Sequence, residues 1–191
     1  MEPFLANNDK IMFYKYLDKA NVYFEYGSGG STYQANIRNN ITKIYSVESD
    51  IQWINKIKGN IDSSKVKFFF NEMDTQPNTG GNPGSNSTDT QWINYSNHMR
   101  NLTKDEQKDI DLVLIDGRFR VACCLKCFDI IGPDCLIAFD DFLNRTQYYP
   151  VLDYYNIIEK TSDERMVILR KKENISSIPN DVIQKYELIR D

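Results

Sequence analysis

The chain has 191 residues, of which 41% are hydrophobic and 26% are charged, values typical of one soluble globular domain with a substantial core. Its formal net charge is −4 and no cluster of lysine and arginine stands out, which argues against nucleic acid as the main partner. No apolar run approaches the roughly 20 residues of a membrane-spanning helix. The first ten residues also lack a signal-peptide pattern, so we expect a cytoplasmic protein without membrane attachment.

Hydrophobic periodicity and turn residues predict alternating helices and strands. A helix at 6–19 precedes a buried strand at 21–26, a glycine-rich turn and a helix near 31–39. The later elements, in chain order, are a strand at 43–49, a helix at 51–60, strands at 65–71 and 110–116, a helix at 120–131, a strand at 135–141, a helix near 145–155, strands at 155–160 and 165–172, and a helix at 179–190. This order predicts an α/β sandwich around a largely parallel sheet.

Residues 74–109 interrupt this pattern. The segment is rich in Gly, Pro, Ser and Asn and has almost no apolar residue before Trp92. A connection of this length in a compact domain is usually a functional loop or a disordered segment. We therefore predict a single domain over 1–191 with an irregular loop insertion, whose second half docks through its apolar residues.

Four cysteines lie in one short segment, at positions 123, 124, 127 and 135. A zinc site would need a second pair of ligands, and His98 is the only histidine in the chain. Burial of the cysteines as small apolar thiols in a reduced cytosol is therefore the better interpretation.

Small and acidic residues follow several predicted strands at their carboxyl ends, where open parallel sheets bind ligands. Gly27, Gly29 and Gly30 permit a tight turn and close approach of a ligand to the backbone. The G-x-G-x-x-G pattern of dinucleotide sites is incomplete, because Thr32 occupies the third glycine position. The alternative is an ordinary tight turn between a strand and a helix.

Two acids favour one ligand class for this turn. Glu25 lies two residues before the first glycine, where it would repel a diphosphate and attract an ammonium group. Glu48 ends the second strand, at a position where an acid accepts hydrogen bonds from ribose hydroxyls. Asp74, after the third strand, is placed to face an adenine amine. A solvated surface acid is the alternative for Glu48.

The sequence resembles the class I S-adenosylmethionine-dependent methyltransferases over roughly residues 15–172. "FEYGSGG" is similar to their first motif, "YSVESD" to their ribose-binding acid, and "LVLIDGRFR" and "LIAFDDF" to their fourth and fifth strands. The resemblance implies a Rossmann-like three-layer sandwich whose seven-stranded, mostly parallel sheet has one antiparallel strand. It also implies S-adenosylmethionine as cofactor. The expected cofactor-binding residues are Glu25, Tyr26, Gly27, Ser28, Gly29, Ser31, Thr32, Glu48, Ser49, Asp74 and Asp116.

Asp116, Asp140 and Asp141 follow the fourth and fifth strands, whose ends should lie together. Three carboxylates in one crevice repel one another unless a cation or protons are present. Oxygen ligands suit Mg²⁺, Mn²⁺ or Ca²⁺. As alternatives, Asp140 caps the next helix, and Asp141 is solvated or paired with an arginine. The arginines available for that pairing are Arg118, Arg120 and Arg145.

"IDG" followed by "FDDF" resembles the metal-dependent methyltransferases that act on hydroxyls of sugars and other small molecules. "DGRFRVAC" resembles methyltransferase domains of glycan-building enzymes, including those of large DNA viruses. The resemblance implies that Asp116, Asp140 and Asp141 hold Mg²⁺ or Mn²⁺. It also implies methylation of a deoxyhexose such as rhamnose on a glycan, in the host cytoplasm if the chain is viral.

The chain departs from this pattern at the general base, because sugar methyltransferases of this kind often carry a second aspartate two residues after the first. Arg118 stands there in this chain and cannot accept a proton. His98 lies in the irregular segment and is the expected base if that segment folds over the crevice; a solvent-exposed loop residue is the alternative. Asp116, His98 and Arg118 form the predicted catalytic set.

Other functions remain open from sequence. The chain could methylate a phenol or catechol, or it could be a non-catalytic module that keeps a nucleoside pocket. An NAD-dependent reductase is disfavoured by the missing third glycine. The expected partner is a small-molecule or glycan acceptor, and a homodimer is left open.

Overall fold

The computed structural model describes residues 1–77, 79–162 and 165–190. Their seven strands form one sheet in the order β3-β2-β1-β4-β5-β7-β6. The strands are β1 (Val22–Tyr26), β2 (Lys43–Glu48), β3 (Val66–Phe70), β4 (Leu112–Ile115), β5 (Leu136–Phe139), β6 (Tyr155–Lys160) and β7 (Val167–Lys171). Strand β7 pairs antiparallel with both β5 and β6, and the other pairs are parallel. The predicted mostly parallel sheet with one antiparallel strand is confirmed.

Helices lie around this sheet. They are α1 (Asn7–Leu17), α2 (Gly30–Asn36), α3 (Ile51–Lys58), α4 (Asp89–Asn97), α5 (Lys104–Lys108), α6 (Arg120–Cys127) and α7 (Asn180–Gln184), with 3₁₀ turns at Ser63–Lys65, His98–Asn101 and Thr146–Asp153. The helix predicted near 145–155 is a 3₁₀ turn that contains Pro150, which cannot donate the backbone hydrogen bond of a regular α-helix. None of the helices in the described residues is long and apolar enough to cross a membrane.

The core divides into two clusters because successive residues of a strand point to opposite faces. Tyr23 on β1 packs with Phe13 and Leu17 of α1 in one cluster. Phe24 and Tyr26 belong to the other cluster, which also contains apolar residues of α6. Two apolar faces on one sheet require a layer of helices on each side, which gives the three-layer sandwich.

The segment predicted to be irregular is only partly so. Residues 89–97 form α4, which begins with a capping box between Thr88 and Gln91. Tyr95 is buried against Phe119 and Tyr26, so this half of the segment docks on the core as expected. The sequence contained the cap signal, but the surrounding polar residues obscured it.

The four cysteines are free and buried, as expected for apolar packing. Three of them lie on α6, whose residues all face the interior. Burial raises the pKa of Cys127 to about 12, so its thiol stays protonated at neutral pH.

Candidate active site

A cavity of about 610 Å³ opens at the carboxyl ends of β1, β2, β4 and β5. It is within the roughly 300–1,000 Å³ range of small-molecule sites. Its walls are formed by Pro3, Phe4, Gly27, Ser28, Gly29, Gly30, Ser31, Glu48, Asp50, Trp53, Lys56, Gly80, Gly81, Tyr95, Asp116, Gly117, Arg118, Asp140, Asp141 and Arg165. Most of the residues predicted from the strand ends therefore meet in one crevice.

The glycine loop after β1 is shaped by close backbone contacts. Gly27 has a φ of 97°, and a Cβ added there would lie 2.9 Å from the Cα of Gly117, so the loops after β1 and β4 can meet only without a side chain. At Gly30 an added Cβ would lie 2.1 Å from the backbone of Glu2. The N-terminal segment thus packs on the glycine loop and supplies Pro3 and Phe4 to the cavity.

Glu25 is buried beneath the loop and does not line the cavity. The hydroxyls of Tyr23, Ser31, Ser46 and Thr32 all donate to its carboxylate. Burial raises the pKa of Glu25 to about 7, although the four hydroxyl donors oppose the increase. These contacts argue against the predicted contact with a ligand ammonium group. Glu25 instead joins β1, β2 and the start of α2.

Glu48 ends β2 with its carboxylate at the cavity. It accepts hydrogen bonds from the backbone N–H groups of Ser28, Ser49 and Asp50, at 3.1, 2.6 and 2.9 Å. Burial raises the pKa of Glu48, and these backbone N–H groups oppose that increase. Oε1 accepts the bonds from Ser49 and Asp50, whereas Oε2 accepts only from Ser28 among the described residues, so Oε2 can still accept from a ligand hydroxyl.

Trp53 and Lys56 of α3 were missed in the sequence. The indole N–H of Trp53 donates to the carbonyl of Ser28 at 2.8 Å and so ties α3 to the glycine loop. Asp50 caps α3 through the N–H groups of Gln52 and Trp53. The cap fixes the residue at which α3 begins and therefore the side of the helix on which each residue lies. The inward position of Trp53 could have been predicted from it.

Several predicted cofactor residues lie outside the cavity walls. Tyr26 is buried in the core and donates to the carbonyl of Ser96. Thr32 is buried and accepts from the N–H of Gly29 as a helix cap. Asp74 accepts from the backbone and side chain of Asn86, which closes the loop between them. These three residues support the walls, whereas the prediction had them touching the cofactor.

Gly80 and Gly81 also line the cavity. Ser49 donates to the carbonyl of Gly81 at 3.2 Å, and the guanidinium of Arg118 donates to the carbonyl of Gly80 at 2.6 and 2.9 Å. Both glycines have positive φ, which allows the loop to turn there. Ser49 and Arg118 thus hold a loop that narrows the crevice.

His98 lies outside the crevice that contains the aspartates. It lines a second cavity at the end of β3, where its Nε2 is 2.9 Å from Oδ1 of Asn71 and its ring packs on Phe69. Burial lowers the pKa of His98 to about 4. The predicted role as a base over the aspartates does not fit this position, because the segment carrying His98 packs along β3.

The three aspartates converge as predicted, but arginines accompany them. Asp141 accepts from Arg145 at 2.7 Å through Oδ2 and from Arg165 at 2.5 Å through Oδ1. Asp116 pairs with Arg120 at 3.2 Å. Of the sequence alternatives for Asp141, pairing with Arg145 is therefore found.

Asp140 differs from its two neighbours. It is buried, and its Oδ1 has no hydrogen-bond partner among the described residues. Burial, together with the nearby charges of Asp116 and Asp141, raises the pKa of Asp140 to about 8, and Arg120 opposes this. Burial also raises the pKa of Asp116. The pair therefore retains a proton more readily than isolated carboxyls would.

This set does not fit the predicted Mg²⁺ or Mn²⁺ ion. Among the described residues, no group of three or more His, Cys, Asp and Glu is arranged to hold a metal. Both oxygens of Asp141 are engaged by guanidinium groups, and Arg120 supplies further positive charge beside Asp116. The aspartates are balanced by arginine and by retained protons, so the metal site expected at Asp116, Asp140 and Asp141 is not supported.

Comparisons with known proteins place this geometry in a wider context. No protein-family model matches the sequence, and no curated protein is similar to it. A methyltransferase-like protein from Silicibacter pomeroyi DSS-3 superposes with a TM-score of 0.82 at 23% identity, over 97% of this chain and 94% of that one. The chain has the methyltransferase fold.

More distant structures share this methyltransferase fold. A candidate caffeoyl-CoA O-methyltransferase from Staphylococcus aureus matches with a TM-score of 0.56 at 17% identity, over 90% of this chain and 86% of that one. The tRNA methyltransferase TrmK of B. subtilis matches with a TM-score of 0.53 at 9% identity, over 88% of this chain and 67% of that one. These neighbours differ in the substrates their names state, so the common feature is the sheet and the position of its crevice.

Replacing Glu25 with glutamine should change how stability depends on pH. Because the pKa of Glu25 is raised from 4.5 to about 7, the unfolded chain releases this proton first as pH rises. The free energy of unfolding of the wild type should therefore fall by about 3 kcal/mol between those pH values from this group alone. Denaturant titrations at several pH values should show a smaller fall for Glu25→Gln. The exposed control Glu173→Gln should follow the wild type, and an unchanged slope in Glu25→Gln would contradict the assignment.

Divalent ions should not bind at the aspartates with useful affinity, because arginines occupy the oxygens of Asp141. Titration with Mn²⁺, followed by water proton relaxation, should give no saturable binding below the millimolar range for the wild type. The double variant Arg145→Gln/Arg165→Gln leaves Asp141 only its 3.6 Å ion pair with Arg120 among the described residues and should gain measurable binding. Saturable binding by the wild type that Asp116→Asn removes would restore the metal site.

Proposed function

We propose that this chain is an S-adenosylmethionine-dependent O-methyltransferase that acts on a hydroxyl of a sugar, such as a deoxyhexose on a glycan. The observation that carries the proposal is the meeting of two sets of residues in one cavity. Glu48 and the glycine loop lie on one side, and Asp116 and Asp140 lie on the other. The first set suits a nucleoside with an amino acid end, and the second suits proton transfer.

The residues present fit this cofactor. Glu48 keeps acceptor capacity for ribose hydroxyls, and its carboxylate is already oriented by three backbone N–H groups. The glycine loop brings backbone close to the cavity at Gly27, where a Cβ would meet Gly117. Glu25 supports this loop from below. S-adenosylmethionine, when bound, would supply a methyl group on a sulfonium, which is the electrophile.

Asp140 is the proposed general base. A sugar hydroxyl must lose its proton as its oxygen forms the new C–O bond and the methyl–sulfur bond breaks. Asp140 lines the cavity, and its buried Oδ1 has no hydrogen-bond partner among the described residues, so this carboxyl group has capacity to take up that proton. This role replaces the one expected of His98. Arg120 holds the carbonyl of Asp140 at 2.8 Å and keeps the carboxyl group in place.

Binding of the cofactor tests the first half of the proposal. Glu48→Ala should raise the dissociation constant of S-adenosylmethionine roughly 10- to 100-fold, because hydrogen bonds to a charged acceptor are lost. Calorimetry measures the effect, and circular dichroism confirms that the variant is folded. Glu173→Ala, an exposed glutamate elsewhere, should bind like the wild type. An absence of binding by the wild type would remove the methyltransferase function altogether.

Methyl transfer to rhamnose-containing acceptors tests the second half. Asp140→Asn should lower the turnover rate by roughly 10²- to 10⁴-fold, the usual contribution of a general base, and should leave cofactor affinity within about twofold. The wild-type rate should rise with pH and level off above about 8, where the raised pKa of Asp140 leaves the carboxylate free. Asp134→Asn, at an exposed position, is the matched control.

Cofactor binding without transfer to sugars but with transfer to catechols would favour the phenol alternative. Binding without any transfer would favour a non-catalytic module.

A further inference from the structure

A second cavity, of about 600 Å³, lies beside the edge strand β3. Its walls come from the end of β3, from α4 and from the 3₁₀ turn that follows. The lining residues are Phe70, Asn71, Glu72, Gln91, Asn94, Asn97, His98, Arg100 and Asn101. The first cavity, which contains the glycine loop and the aspartates, shares none of these residues.

Carboxamides dominate this lining. Five of its nine residues are Asn or Gln, each of which offers an acceptor oxygen and two donor hydrogens. Gln91, Asn94 and Asn97 are three residues apart along α4 and so face the same side of the helix. Such groups match a ligand that both donates and accepts hydrogen bonds at many positions.

Two of the lining residues carry a buried acceptor atom without a hydrogen-bond partner among the described residues. Nδ2 of Asn71 donates to the carbonyl of Gln91, so its Oδ1 is the atom facing Nε2 of His98. His98 therefore carries its proton on Nε2, and its Nδ1 is an acceptor. Neither this Nδ1 nor Oδ1 of Asn97 has a partner among the described residues. Phosphates and carboxylates cannot donate to such atoms, whereas hydroxyl groups can.

The charge and shape of this lining favour an uncharged ligand with a ring. Glu72 and Arg100 carry opposite charges, and the pKa of His98, lowered to about 4 by burial, leaves its ring neutral at neutral pH. The lining therefore has no net charge for an ionic ligand. Phe70, which is 39% exposed, offers an apolar ring beside the polar groups. Sugars present such a combination of C–H faces and hydroxyl edges.

We propose that this cavity binds a neutral saccharide through the carboxamides of α4 and the following turn, with Phe70 under one sugar face. The two cavities are neighbours, because the N–H of Asn71 donates to the carbonyl of Glu48 at 2.8 Å and Tyr95 of α4 faces the first cavity. A glycan held here can extend towards the transfer site. Only this last step rests on the proposed methyltransferase function, since saccharide binding itself does not require it.

Saturation-transfer NMR with L-rhamnose, D-glucose and maltose, without cofactor, tests the proposal on the full chain. The wild type should transfer saturation to at least one of these sugars. Asn94→Ala and Asn101→Ala change exposed side chains and should each raise the dissociation constant roughly 3- to 10-fold. The control Asn39→Ala, exposed and at the opposite end of β2, should bind like the wild type.

Three results would overturn the proposal. They are the absence of saturation transfer to any sugar, equal sugar binding by the Asn94 and Asn101 variants and the wild type, and stronger binding of adenosine monophosphate or inorganic phosphate at these residues. The Glu48→Ala variant separates this inference from the proposed function. Its sugar affinity should be unchanged while its cofactor affinity falls. Sugar binding by a chain that fails to bind S-adenosylmethionine would support the saccharide site and remove the methyltransferase.

Discussion

The buried guanidinium of Arg120 holds the active-site edge of the sheet together. Arg120 is 7% exposed and donates to the carbonyls of Asp116, Gly117 and Asp140, and to the carboxylate of Asp116. These contacts join the ends of β4 and β5, which ordinary strand pairing leaves open at this edge. A buried cation is costly unless it is paired, so the acidic character of the two loops follows from the same requirement.

This arrangement explains why the converging aspartates do not form a metal-binding group among the described residues. Asp116 and Asp141 balance arginines, and the remaining carboxyl, Asp140, has an acceptor oxygen without a partner among the described residues and a raised pKa. Electrostatic repulsion among three acids can be relieved by cations, by guanidinium groups or by protons. Here the second and third means operate, and the proposed role of Asp140 as a base therefore requires a pH near or above its raised pKa.

Helix α4 separates two cavities of similar size and different chemistry. Tyr95 faces the first cavity, which contains the glycine loop. Asn94 and Asn97 lie on another side of the helix and face the second cavity, whose lining is dominated by carboxamides. A residue of an α-helix and its next neighbour point about 100° apart, so one short helix can serve both cavities. The segment that interrupts the α/β pattern thus contributes to the walls of both cavities.

The sequence was enough to predict the order of strands and helices, the glycine turn and the acids at the strand ends, because hydrophobic periodicity, turn residues and helix caps are local properties. It therefore placed Gly27, Glu48 and Asp116 correctly at the crevice. The contacts of each acid could not be predicted in this way, since they are made with residues distant in the chain. Ser46 reaches Glu25, Arg165 reaches Asp141, and the packing of α4 carries His98 away from the aspartates. Hydrogen bonds and ion pairs across such distances leave no periodic signal in a single sequence, and so the roles of Glu25, His98 and Asp141 could not be read from it.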